Sequence, residues 1–86
     1  MKKYVIEVSR TAEKQLGALG KVDRERVIRH IRNLAENPRP SGCRQLSGYS
    51  DVFRIRVGDY RIIYTIEDRT VTVAILKIGH RREVYR

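Results

Sequence analysis

The 86-residue chain has a single cysteine, Cys43, and no apolar run approaching the roughly 20 residues that a membrane span requires. One cysteine excludes an internal disulfide and a cysteine-rich metal site, so nothing points to an oxidising compartment. At the N-terminus, Met1-Lys2-Lys3-Tyr4-Val5-Ile6-Glu7 puts a glutamate where a signal peptide would continue apolar. The chain is therefore expected to stay in the cytoplasm, with no membrane partner. Histidine is almost absent: His30 and His80 are some fifty positions apart, no carboxylate cluster accompanies them, and no metal site or other cofactor is expected. No internal repeat or low-complexity segment occurs. Acidic residues are the last shortage, 10 against 19 Lys and Arg, which leaves a formal charge of +9 and a pI of about 10.3.

What is present is the composition of a soluble globular protein, 41% hydrophobic and 34% charged. This length makes one domain, residues 1–86, with a core that buries roughly 60% of the unfolded chain's surface. The positive excess implies a polyanionic partner, either nucleic acid or an acidic protein that neutralises it. Fourteen of the cations are arginine and five are lysine. Guanidinium is planar, permanently charged and able to grip a phosphate through two parallel hydrogen bonds, whereas lysine offers a point charge.

Along the chain, Tyr4, Ile6 and Val8 alternate with Val5 and Glu7 as a half-buried strand. Ser9 stands where a helix N-cap belongs, and Ala12, Leu16 and Leu19 follow at helical spacing, predicting a helix over about Arg10 to Leu19 that Gly20 ends. A longer helix opens near Val22 with an apolar face of Val27, Ile28, Ile31, Leu34 and Ala35, and Asn37-Pro38 ends it. His30, among charged neighbours on that helix, reads as a surface residue. Pro38 to Ser50 is a loop pinned by Leu46 and Tyr49; Cys43 lies in it without groups that would activate a thiol, and Arg44 is placed near the basic face described next.

The chain is organised around Val52 to Ile66. Two runs of β-branched and aromatic residues flank Gly58-Asp59, a Gly-X pair of the kind that closes a type II′ hairpin. That loop fixes the register: Val57 opposite Tyr60, Arg56 opposite Arg61, Ile55 opposite Ile62, Arg54 opposite Ile63 and Phe53 opposite Tyr64. Phe53, Ile55, Val57, Tyr60, Ile62 and Tyr64 then form a core face, and Arg54, Arg56 and Arg61 share the other. Like charges directly opposed across strands cost a few tenths to about 1 kcal/mol, so the arginine face reads as an anion site. With Asp68-Arg69 as the next turn, Val71, Val73 and Ile75 join the core face. Ile63, Ala74, Leu76 and Ile78 are left as an apolar strip beside the arginines that something should cover. Gly79 is expected to turn the chain off the sheet and carry His80, Arg81 and Tyr85 back toward the arginines.

The order strand, helix, helix, three strands resembles the RelE/ParE toxin superfamily, on its RelE side. Further points of likeness are Asn37-Pro38-Arg39, Leu46-Ser47-Gly48, the Gly58-Asp59-Tyr60-Arg61 turn and the terminal run from Gly79 through Tyr85. The resemblance covers essentially the whole chain. It implies an α+β fold of order β-α-α-β-β-β, a small antiparallel sheet of about four strands with a two-helix hairpin packed on one face. It also implies the toxin half of a type II toxin–antitoxin pair, acting as a ribosome-dependent endoribonuclease on mRNA in the A site without a metal. The partners implied are the ribosome, mRNA and an acidic, RelB-like antitoxin that covers the basic face.

The family's basic pair on the first hairpin strand matches Arg54 and Arg56, where the best-known members have lysine. Its arginine after the turn matches Arg61, its arginine near the C-terminus Arg81 and its terminal tyrosine Tyr85, and a basic residue stands where His80 is here. Attack by a 2′-hydroxyl needs a base, an acid and cations for the charge that builds on phosphorus. Arginine supplies only the last. Arg54, Arg56 and Arg61 are therefore expected to hold the phosphate, with Arg81 assisting and Tyr85 or His80 moving the protons. Two other readings remain open, a ParE-like protein that binds DNA gyrase without chemistry and an inactive RNA-binding relative.

Overall fold

The computed structural model describes residues 3–48 and 51–80. Its elements run β1 (Val5–Val8), α1 (Arg10–Gly17), α2 (Lys21–Leu34), β2 (Arg44–Gln45), β3 (Val52–Val57), β4 (Tyr60–Glu67) and β5 (Thr72–His80). One sheet in the order β1-β5-β4-β3-β2 carries both helices on one face. The α+β class and the order of helices and long strands are as the sequence implies. The sheet differs from expectation in two ways: it has five strands, and it is mixed, because β1 lies parallel to β5. The added strand, β2, is a two-residue pairing inside the Pro38–Ser50 loop, too short to carry a hydrophobic period.

Ser9 caps α1 as its position predicts, its Oγ accepting from the Ala12 amide at 3.0 Å. Along α2, Val27, Ile31 and Leu34 fall on one side of the helix and are buried, and Ile28 is half-buried at the rim. These residues and Ala12 pack on Ile55, Val57, Ile62, Tyr64, Ile66, Val73, Ile75 and Ile78. His30 is partly exposed, its Nδ1 2.9 Å from the carbonyl of Arg26 one turn back.

The hairpin has the expected register from Phe53↔Tyr64 to Val57↔Tyr60. Gly58 has φ +61 while Asp59 stays at negative φ, the pattern of a II′ turn. A Cβ at Gly58 would also come 3.2 Å from the Arg26 guanidinium, which reaches over the turn from α2.

The β4–β5 connection is longer than expected. Glu67 pairs with Thr72, so four residues turn where two were predicted, and Val71 adopts φ +52 instead of joining the strand. A shift of two residues preserves the faces, and Val73 and Ile75 enter the core opposite Ile66 and Tyr64. Beyond them the alternation breaks. Tyr64 pairs with Ile75 but Ile63 with Lys77, which leaves Leu76 as the extra residue of a β-bulge. Ile78, expected beside the arginines, is consequently 1% exposed in the core.

α1 supports this break. β1 pairs with β5 only as far as Ile75, so the next backbone groups on that edge have no strand beside them. The helix N-terminus takes over: the Ser9 amide donates to Ile75 O at 2.9 Å and Ser9 Oγ to Leu76 O at 2.8 Å. Gln15 Oε1 then accepts from the Ile78 amide at 2.7 Å.

Candidate functional site: a cationic sheet face

The register of all five strands defines the sheet face turned away from the helices. Nearest the hairpin tip, one row across the strands reads Arg56, Arg61, Gly79; the next reads Arg44, Arg54, Ile63, Lys77. Further down the same face come Val52, Thr65, Ala74 and Glu7, then Glu67, Thr72 and Val5. Five cations thus occupy one end of the face, two glutamates the other, and small or apolar residues the middle.

Arg54, Arg56 and Arg61 are gathered as the hairpin pattern predicts. Arg56 and Arg61 are directly opposed, and Arg54 is two residues along β3 from Arg56, on the same side. Arg56 is exposed and the other two are half-buried. Among the described residues, Arg44, Arg54 and Arg56 have no ion-pair partner, so their charges face outward uncompensated. Arg44, Arg54, Arg56 and Gly42 line an open cavity of about 420 Å³, large enough for a nucleotide phosphate and its sugar. Ile63, 6% exposed, stands outside the core cluster with Arg54 and Lys77 on its two flanks, where their aliphatic stems can cover it.

His80 does not join this group. Gly79 stays in the strand opposite Arg61, and β5 continues one residue further, so His80 faces Tyr60 on the helix side. Its ring meets that of Tyr60 edge-on at 6.0 Å, and Tyr60 Oη donates to Asp23 of α2 at 3.4 Å. The expected turn at Gly79 is absent because the ladder with β4 still holds there. Arg81 and Tyr85, like the loop residue Tyr49, lie outside the described residues.

Two cations of this face were not part of the predicted arginine set. Arg44 is brought opposite Arg54 by β2, and Lys77 is brought opposite Ile63 by the bulge. The apolar strip is correspondingly shorter than expected, since Ile78 leaves it and Lys77 enters. The sequence did carry a signal for Lys77: alternation continued from Val73 and Ile75 would drive a lysine into the core, which only a change of phase avoids.

Elsewhere the polar groups serve the fold. Burial, with the neighbouring Cys43 thiol adding to it, pushes the Tyr64 phenol far above the ordinary tyrosine range. As a neutral donor it binds Pro38 O at 2.7 Å. Arg39 pairs with Asp68 at 2.9 Å and covers the Phe53 ring at 5.6 Å, while Tyr4 Oη donates to the same carboxylate at 2.6 Å. The Arg39 guanidinium first, then the Tyr4 hydroxyl, holds the Asp68 carboxyl below its usual range.

Comparison with known proteins gives a consistent result. Residues 6–85 match the family described as ParE toxin of type II toxin–antitoxin system, parDE. The chain is 29% identical over 86 residues to the mRNA interferase toxin RelE of Escherichia coli, covering 95% of this chain and 90% of that protein. A shorter match, 44% identical over 43 residues, relates 50% of this chain to 46% of Toxin RelG of Mycobacterium tuberculosis, less than half of that protein's length. Among solved structures, the archaeal RelE–RelB complex from Pyrococcus horikoshii aligns with TM-score 0.83 and 28% identity, over 98% of this chain and 100% of the matched one.

Proposed function

This chain belongs to the RelE/ParE superfamily of type II toxin–antitoxin toxins, and on that premise we propose that it is a ribosome-dependent endoribonuclease that cuts mRNA in the A site. The observation that carries this reading is the opposed Arg56–Arg61 pair with Arg54 beside it, held on an open sheet face against electrostatic cost. A structural sequence gains nothing from that arrangement. A dianionic phosphorane gains a great deal.

In the proposed reaction the 2′-hydroxyl attacks the adjacent phosphorus, and the bond to the 5′-oxygen of the next nucleotide breaks. A cyclic phosphate remains on one fragment and a hydroxyl on the other. Arg54, Arg56 and Arg61 hold the non-bridging oxygens and stabilise the charge that develops on them, with Arg81 assisting. Because guanidinium does not give up a proton, Tyr85 moves the protons. Tyr85 is preferred to His80 for this role because His80 faces Tyr60 on the helix side of the sheet. The chemistry proposed uses the chain's own side chains. An acidic antitoxin of the RelB kind is the proposed partner, its carboxylates neutralising the cationic rows; the archaeal RelE–RelB complex supports such a pairing.

The test is to incubate the purified protein with programmed ribosomes and map new mRNA 5′ ends. Cuts at A-site codons are expected, and Arg61→Ala is expected to slow them by about 10²–10³-fold, the usual cost of one donor to a developing oxyanion. The matching family's description as ParE toxin favours one second reading, a ParE-like protein that blocks DNA gyrase by binding alone. Intact message together with inhibited gyrase would establish it; RNA bound but uncut would mark an inactive relative.

A further inference from the structure

The bulge at Leu76 does more than rescue the core. It sets Lys77 on the cationic face, in the row of Arg44 and Arg54 and diagonal to Arg61. Diagonal neighbours on a sheet are about 7–8 Å apart, within reach of long side chains, and Gly79, opposite Arg61, puts no side chain between them. Lys77 is exposed and, among the described residues, has neither a carboxylate nor a hydrogen-bond partner. From Arg44 on β2 to Lys77 on β5 the row crosses three inter-strand gaps, about 14 Å, which is wider than one phosphate. Toward the other end of the same face stand Glu7 and Glu67, which repel a polyanion. A single strand of RNA is therefore favoured across the strands, along the cationic rows, and disfavoured down them.

Resting on the nuclease reading above, we infer that Lys77 binds the phosphate next to the scissile one, as a subsite on the β5 flank of Arg54, Arg56 and Arg61. Lysine suits a neighbouring phosphate because it contributes a point charge on a flexible stem and imposes no bidentate geometry.

The experiment measures binding of the full chain to a single-stranded oligodeoxyribonucleotide, which lacks the 2′-hydroxyl and is not cut, by fluorescence anisotropy over a range of salt. Loss of one phosphate contact lowers the slope of log K against log salt by about 0.7 for a single strand. Lys77→Ala is expected to show that drop and Lys77→Arg to restore the slope. Lys14→Ala, an exposed lysine on α1, is expected to keep it. An unchanged slope in Lys77→Ala alongside a reduced one in Arg54→Ala overturns this inference alone. Unchanged slopes in both overturn it together with the nuclease reading. Equal drops in Lys77→Ala and Lys14→Ala, or a Lys77→Ala defect confined to an acidic antitoxin peptide, also overturn it.

Discussion

Gly58 and Tyr64 show how single residues hold the hairpin that presents the arginines. At φ +61, Gly58 occupies backbone space that an L side chain enters at a cost of roughly 1–2 kcal/mol, and a Cβ there would crowd the Arg26 guanidinium. Gly58→Ala is expected to lower stability by about that amount in urea titration, with the larger value if Arg26 is held in place. Tyr64 anchors the other end, its hydroxyl on Pro38 O beneath the loop. Tyr64→Phe removes the donor from that carbonyl and is expected to cost about 1–3 kcal/mol. The phenol also carries a pH signature. Its folded pKa is raised, so its contribution is complete below the unfolded value near 10 and is lost as pH climbs beyond it. Thermal melts above about pH 10 should therefore fall less steeply for Tyr64→Phe than for the parent.

At the scale of elements, the junction between α1 and β5 decides which side chains reach the cationic face. Ser9 caps the helix and also donates to Leu76 O, and Gln15 accepts from the Ile78 amide. Ser9→Ala is expected to cost about 1–2 kcal/mol, at the upper end for an N-cap because two bonds are lost. Gln15→Leu leaves the Ile78 amide without its acceptor and is expected to cost about 1–3 kcal/mol in the same urea titration. This junction also marks where the sequence stopped being readable. Gly58-Asp59 dictates its own pairing within a few residues, so the arginine cluster followed from local turn chemistry and a period of two. The positions of Ile78 and His80 depend on a bulge whose freed backbone groups are satisfied by a helix more than sixty residues away in the chain. No local pattern reports such a partner. β2 was hidden for a related reason, since two residues are too few to show alternation, and with it the pairing of Arg44 to Arg54.

For the molecule as a whole, a formal charge of +9 is distributed unevenly, with one end of the open face cationic and the other holding Glu7 and Glu67. A partner that neutralises the cationic end stabilises the fold by mass action, about 2.7 kcal/mol at 100 times its Kd. An acidic antitoxin peptide is therefore expected to raise Tm, by an amount that shrinks as salt is added, and to displace bound RNA. Unchanged RNA binding at saturating peptide would show that the two do not share this surface. The parallel pairing of β1 with β5 has a consequence in time. Val5–Val8 precedes its neighbour in the sheet, Thr72–Ile75, by more than sixty residues, so it is synthesised well before its pairing partner exists. The hairpin can close on its own, but β1 must wait for β5 to be made before it is anchored, a long-range closure of the slow kind. A nascent toxin thus cannot complete this sheet until β5 has emerged, a built-in delay between making the first strand and fixing the face that carries the arginines.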